Sequence, residues 1–157
     1  MAKSKDKKKD HVKFEYNKIT PLIYLGTNAC CQRHFKQELL NKGIKADISI
    51  EDERIDQPIG VDCFLWLPVK DHTAPTLKQL WVGVKTIEAL LDQKVKIYLH
   101  CKNGHGRAPT ILAAHFIYQG LSFSEANRKI KKKRNEIHIE KPQKEKLQKF
   151  KKYIKNK

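Results

Sequence analysis

The sequence predicts an α/β fold: a central, mainly parallel, twisted sheet flanked by helices on both sides. Three observations point there. Short apolar runs of strand length alternate with segments whose apolar residues recur at helical spacing. One of those runs leads straight through a turn holding two glycines into an apolar helix, as strand-loop-helix units do. And 157 residues, 39% of them apolar, are enough for one core.

Each element has its own signal. Val12–Tyr16 alternates apolar and polar and reads as a short edge strand. Leu22–Leu25 reads as a second strand, turned by Gly26. Over residues 32–42, Phe35, Leu39 and Leu40 share one helical face, and Gly43 is a C-terminal stop. Ile44–Ile50 alternates again. Ile55–Gly60, with Pro58 and Gly60, is a loop. Val61–Val69 reads as a buried strand. Thr76–Asp92 places Leu77, Leu80, Trp81, Val84, Ile87 and Leu91 at helical spacing. Val95–His100 is a further buried strand, and Pro109–Gln119 an apolar helix closed by Gly120, with proline in its first turn. Ser122–Glu125 is a capping box opening another helix. Pro142 opens the last, with Leu147, Phe150 and Ile154 on one face. No internal repeat or second domain is visible. The expected organisation is a basic flexible tail over 1–15, one domain over 16–151, and a basic end over 152–157.

The charge is concentrated at the ends. The formal net charge is +16, of which +4 falls in residues 1–18, +11 in 128–157 and +1 between. Basic ends can bind an acidic protein, an anionic lipid or a nucleic acid. No aromatic residues alternate with the basic ones as a single-strand platform would need, so a solvated surface is the simpler reading. No apolar run reaches membrane-spanning length, and the start has no apolar segment of a secretory signal. The chain reads as a cytoplasmic monomer. Four cysteines without regular spacing are no disulfide scaffold, and CxxC and CxxH are absent, which argues against a structural zinc. Cys30, Cys31 and Cys63 read as small packing residues.

The stretch that carries chemistry is His100–Thr110, HCKNGHGRAPT. A cysteine and an arginine six positions apart are a weak signal alone. Their place between a buried strand and a helix N-terminus makes it strong. Such a loop points backbone N–H groups inward, and the helix dipole adds to them, so Lys102, Asn103, Gly104, His105 and Gly106 form an anion cradle. Glycines supply the backbone angles and let an anion approach closely. Arg107 adds a two-pronged clamp on phosphate oxygens. Cys101 sits in the same positive field, where a thiol with a free pKa of about 8.5 is expected to become a thiolate. A thiolate facing a phosphoryl group is an in-line nucleophile. The leaving alkoxide then needs a proton from a neighbouring loop. Asp71, after the strand 61–69, fits that role and would later deprotonate water. His72 is an alternative or a tuner of Asp71. His100 reads as support for the loop through the backbone. A turn or helix-cap role for Asp71 is the competing explanation.

These features resemble the cysteine-dependent protein tyrosine phosphatase superfamily, most closely its small dual-specificity branch. The resemblance covers residues 16–151 and rests on Leu22–Gly26, Asp71, the loop His100–Arg107, Pro109-Thr110 and Leu121–Ala126. It implies a phosphocysteine on Cys101, phosphate binding by Arg107, and Asp71 as acid and then base. It implies no metal and no organic cofactor. A looser likeness, Ala74 to Phe150, is to phosphatidylglycerophosphate phosphatases of that branch. One departure stands out. The family usually carries Ser or Thr after the loop arginine; here it is Ala108. That hydroxyl helps the thiolate leave, so a slower enzyme is expected, with Thr110 a substitute only if its hydroxyl turns inward. Gln143 is the nearest counterpart of the water-positioning glutamine of tyrosine-only relatives.

The expected function is hydrolysis of phosphomonoesters on protein, at phosphotyrosine first, with phosphoserine and phosphothreonine as further targets. Lipid headgroups and RNA 5′-phosphates are the alternatives within enzymes, along with sulfur transfer or arsenate reduction, against which Asp71 and the strand order argue. A non-catalytic module binding phosphorylated ligands is the alternative from another class.

Overall fold

The computed structural model describes residues 12–157, so the predicted tail falls mostly outside the described residues. Five strands form one sheet: β1 (Tyr16–Thr20), β2 (Ile23–Gly26), β3 (Ile44–Ser49), β4 (Cys63–Trp66) and β5 (Lys96–His100), in the order β1-β2-β5-β3-β4. Only β1 runs antiparallel, joined to β2 by a tight turn; the other pairings are parallel. The helices are α1 (Gln37–Asn41), α2 (Leu77–Asp92), α3 (Arg107–Tyr118), α4 (Phe123–Lys131) and α5 (Lys141–Ile154).

The two faces of the sheet are covered unequally. Alternate strand residues point to opposite sides. Ile23, Leu25, Ala46, Ile48, Ile97 and Leu99 meet α2–α5 in the larger core. Tyr24, Ile44 and Tyr98 meet Phe35, Leu39, Cys30 and Cys31 in a smaller one, beneath a single short helix. The largest burial is in α3, which has no exposed residue; a helix apolar on all sides must lie inside, here between β5, α2, α4 and α5. Its neighbours are amphipathic and start at capping boxes, Thr76 with Gln79 for α2 and Ser122 with Glu125 for α4.

Three element readings need correction. The first strand begins at Tyr16, where the expected one ended, because antiparallel pairing with Ile23–Gly26 sets its register. Of residues 32–42 only Gln37–Asn41 are helical; Phe35 is buried ahead of the helix, and Gly43 follows at φ +83°, the left-handed stop. The run Val61–Val69 gives only the four residues of β4, and it is an edge strand with Cys63 and Phe64 exposed. Cys63 is therefore not a packing residue, and Cys30 and Cys31 are joined to each other in a disulfide. At the other end α5 continues to Ile154, past the expected boundary at 151, as Tyr153 and Ile154 pack on the core.

Candidate active site

β5 lies between β2 and β3, so its carboxyl end opens at the middle of the sheet, where ligands of open α/β sheets bind. The loop from Cys101 leaves there and enters α3 at Arg107. Three anchors fix it. Arg134, itself buried, donates from Nε to the Gly104 carbonyl (3.0 Å), from one terminal nitrogen to the Asn103 carbonyl (2.9 Å) and from the other to Asn17 Oδ1 (2.8 Å). The Asn28 N–H donates to the Lys102 carbonyl at 3.0 Å. Gly104 sits at φ +69°, and a Cβ there would stand 2.5 Å from the Gly26 carbonyl oxygen, so this position admits only glycine.

A cavity of about 200 Å³ opens over the loop. Cys101, Asn103, His105, Gly106 and Arg107 line one side; Asp71, His72, His138, Glu140 and Gln143 line the other. Lys102 and Gly104 do not line it: Lys102 is tied by its backbone to Asn28, and Gly104 is buried against Gly26. The Thr110 hydroxyl donates to the Gly106 carbonyl at 2.7 Å, so it is committed to the backbone rather than turned toward Cys101. Ala108 is buried in the larger core.

The geometry of Arg107 decides what the site can hold. Glu53 takes its two terminal nitrogens in a two-pronged ion pair, at 2.9 and 3.0 Å, and the Val69 carbonyl accepts from one of them at 2.8 Å. A guanidinium has five N–H groups. Three are used; the Nε–H and one terminal N–H remain beside the pocket, and such an edge matches two phosphate oxygens. Asp71 Oδ1 stands 3.6 Å from Nε. Burial works against both charges of the pair. The hydrogen bonds between them hold the Glu53 carboxyl below its usual range and, with the fields of Cys101 and Asp71, raise Arg107.

Asp71 is half-exposed at the mouth, and its Oδ1 accepts the His72 N–H at 2.9 Å. His72, at φ +63°, sets its Nδ1 against Glu140 Oε1 at 3.1 Å and its Nε2 3.5 Å from Asp71 Oδ2. Gln143 is buried; its Oε1 accepts from the Glu140 N–H (2.8 Å) and its Nε2 donates to the Thr73 carbonyl (3.2 Å). The start of α5 thus holds the segment that carries Asp71. His105 is largely exposed, with its carbonyl accepting from the His138 N–H at 2.6 Å; partial desolvation of its ring and the nearby Arg134 lower its pKa.

Beneath Cys101, on the opposite side of the sheet from α2–α5, His100 is fully buried. Its Nδ1 lies 3.2 Å from the Cys101 carbonyl and its Nε2 2.7 Å from Asp56 Oδ2. Burial alone would lower its pKa, but Asp47 and Asp56 raise it well above the ordinary value. Desolvation in turn pushes Asp47 up to about 7, against the pull of His100.

Four residues of the site were not singled out from sequence: Glu53, Arg134, His138 and Glu140. The acidic run Glu51-Asp52-Glu53 was the available signal for the first, since an isolated buried arginine needs a carboxylate. Nothing local marks Arg134 among its lysine neighbours.

The fold and this loop define a cysteine-dependent phosphatase of the protein tyrosine phosphatase superfamily, of the dual-specificity kind. A family model described as "Polymorphic toxin system, DSP-PTPase phosphatase" matches residues 23–121, well over half the chain, and the chain belongs to that family. It is similar to human "Phosphatidylglycerophosphatase and protein-tyrosine phosphatase 1", 29% identical over 151 residues, covering 88% of this chain and 74% of that protein. It is also similar to rat "Dual specificity protein phosphatase 5", 26% identical over 121 residues, which is 76% of this chain but 31% of the relative. Among solved structures, PTPMT1 in complex with PI(5)P superposes with a TM-score of 0.76 at 28% identity, covering 90% of this chain and 97% of that one. Human DUSP28 superposes at 0.79 with 22% identity over 89% and 98%, a likeness of fold. Among the described residues no helix is long and apolar enough to cross a membrane.

Proposed function

We propose that the chain hydrolyses phosphomonoesters through a phosphocysteine on Cys101. The observation that carries this is the arrangement of Arg107: Glu53 takes the end of its guanidinium and leaves the Nε edge beside Cys101 and Asp71. Phosphate oxygens bind that edge and the N–H groups of the loop. The Cys101 thiolate attacks phosphorus in line, the P–O bond to the leaving group breaks, and Asp71 gives the departing oxygen its proton. Asp71 then takes a proton from water as that water attacks the phosphocysteine, releasing phosphate and the thiolate.

The substrate reading that the pocket supports best is a phosphate on a hydroxyl-rich alcohol, such as a phospholipid headgroup. Its lining has no Phe, Tyr, Trp or aliphatic side chain; three imidazoles, Asn103, Gln143 and two carboxylates form its walls. These hydrogen-bond to hydroxyl groups and offer little to a phenyl ring. The relative named for phosphatidylglycerophosphate and the PI(5)P complex support the same reading. Phosphotyrosine is the second reading, supported by the protein-tyrosine activity in that relative's name and by the dual-specificity relative.

Release of p-nitrophenol from p-nitrophenyl phosphate, with Cys101→Ser as control, tests the chemistry. Turnover by the wild type alone supports it; equal inactivity of both overturns it. Comparing kcat/KM on headgroup phosphates and on phosphotyrosine peptides then separates the two substrates.

A further inference from the structure

A second polar cluster lies under the sheet, away from the pocket. It joins Cys30 and Cys31, Asp47 on β3, Asp56 in the following loop and His100 at the end of β5. All five are buried, and one ligand atom from each falls within 4.8 Å of every other.

Its hydrogen bonding does not close. His100 Nε2 carries at most one hydrogen, yet three acceptors converge on it: Asp56 Oδ2 at 2.7 Å, Asp47 Oδ1 at 3.0 Å and Cys31 Sγ at 3.5 Å. Neither oxygen of Asp47 has a hydrogen-bond partner, nor does Asp56 Oδ1, nor the neighbouring Ser49 hydroxyl. Besides His100, Arg54 keeps its Nε 3.7 Å from Asp56 Oδ1. Two buried carboxylates sharing one imidazole N–H are a poor solution by themselves. They are a good one around a bound cation, with imidazole and sulfur completing a set that suits zinc.

We propose that Asp47, Asp56, His100 and Cys31 form a site for one divalent cation of the zinc class, available when the Cys30–Cys31 disulfide is reduced. A small dithiol supplies the two electrons and two protons: the S–S bond breaks, two thiols form, and the dithiol becomes its own disulfide. The cation then displaces the proton of the Cys31 thiol and that of His100 Nε2. In a tetrahedral zinc site the ligand atoms stand about 3.3–3.6 Å apart. The sulfur–imidazole separation of 3.5 Å already matches, and the carboxylate oxygens, 2.7 and 3.0 Å from Nε2, need to retreat by about 0.3–0.9 Å. One thiolate and two carboxylates around a dication leave one negative charge, with the Arg54 guanidinium beside it. His100 Nδ1 then keeps its hydrogen for the Cys101 carbonyl, which ties the site to the loop from below.

The proposal stands apart from the phosphatase reading, because its readout is metal. The full chain is reduced with dithiothreitol, freed of it without air, and titrated with Co²⁺ and, in competition with a chromophoric chelator, with Zn²⁺. One equivalent should bind, with a thiolate-to-cobalt charge-transfer band. That band should vanish in Cys31→Ser and in wild type with the disulfide intact. Asp47→Asn should weaken Zn²⁺ binding by at least about tenfold. Cys63→Ser and Cys101→Ser should bind as wild type does. The oxidised wild type has the same sequence, so its comparison does not depend on whether a variant folds. Substoichiometric metal in the reduced protein, or a band that follows Cys63 or Cys101, overturns the site and leaves the cluster a proton-sharing network.

Discussion

Glu53 closes a two-pronged ion pair on Arg107, at 2.9 and 3.0 Å, while Asp71 faces the other edge of the same guanidinium at 3.6 Å. The carboxylate therefore aims the arginine as well as neutralising it. Glu53→Gln keeps the shape and one acceptor but loses the charge-assisted fork, a change of about 1.5–3 kcal/mol. We expect kcat/KM on p-nitrophenyl phosphate to fall about 10–100-fold, with weaker inhibition by vanadate. Unchanged kinetics would mean that Val69 and the helix hold Arg107 without Glu53.

Arg134 spends its guanidinium on two carbonyls of the loop and on Asn17. Arg134→Met fills similar space and leaves those carbonyls without donors. A loss of about 3 kcal/mol in stability is expected, which for a chain of this size lowers Tm by about 6–12 °C. Calorimetry measures it. Arg134→Lys should recover only part, since one ammonium cannot reach all three acceptors.

The loop was legible because its signals are contiguous: strand, glycines and helix fall within His100–Thr110. Asp71 was placed by its position after a strand. What faces them was not legible. Glu53 and Arg134 reach the loop from 54 and about 30 positions away, and nothing in a single sequence encodes those contacts. The helical signals held where periodicity ran long, as in α2 and α3, and failed at 32–42, where Phe35 packs as part of a loop. β4 read as buried because its apolar run cannot say that it lies at the sheet's edge. The cluster of Cys30, Cys31, Asp47, Asp56 and His100 gave no spacing signal, as its members come from four separate segments.

Ala108 follows Arg107 where the superfamily usually has a hydroxyl, and Thr110 gives its own to Gly106. Neither residue therefore offers the thiolate a hydroxyl donor in the proposed hydrolysis of the phosphocysteine. A hydrogen bond to a charged group contributes about 1.5–3 kcal/mol, or about 10–100-fold in rate. Ala108→Ser should raise steady-state kcat by about that factor. Rapid-mixing experiments should show a burst of p-nitrophenol in the wild type that shrinks in the variant. Equal bursts would place the slow step elsewhere.

His115 gives the fold a defined weakness to acid. It is buried in α3, its Nδ1 has no hydrogen-bond partner, and desolvation together with Lys129 lowers its pKa from 6.5 to about 4. Above pH 6.5 the ring is neutral in folded and unfolded chains alike, and it adds no pH dependence. Below that, the unfolded chain takes up a proton that the folded one refuses, so stability falls as pH drops toward 4. Over that window the loss is on the order of 2–3 kcal/mol. His115→Gln has no group that titrates there. Urea unfolding at a series of pH values should show a shallower decline for the variant than for the wild type, with the two curves parallel above neutrality. Equal slopes below pH 6.5 would mean that His115 is reached by water and titrates as it does in the unfolded chain.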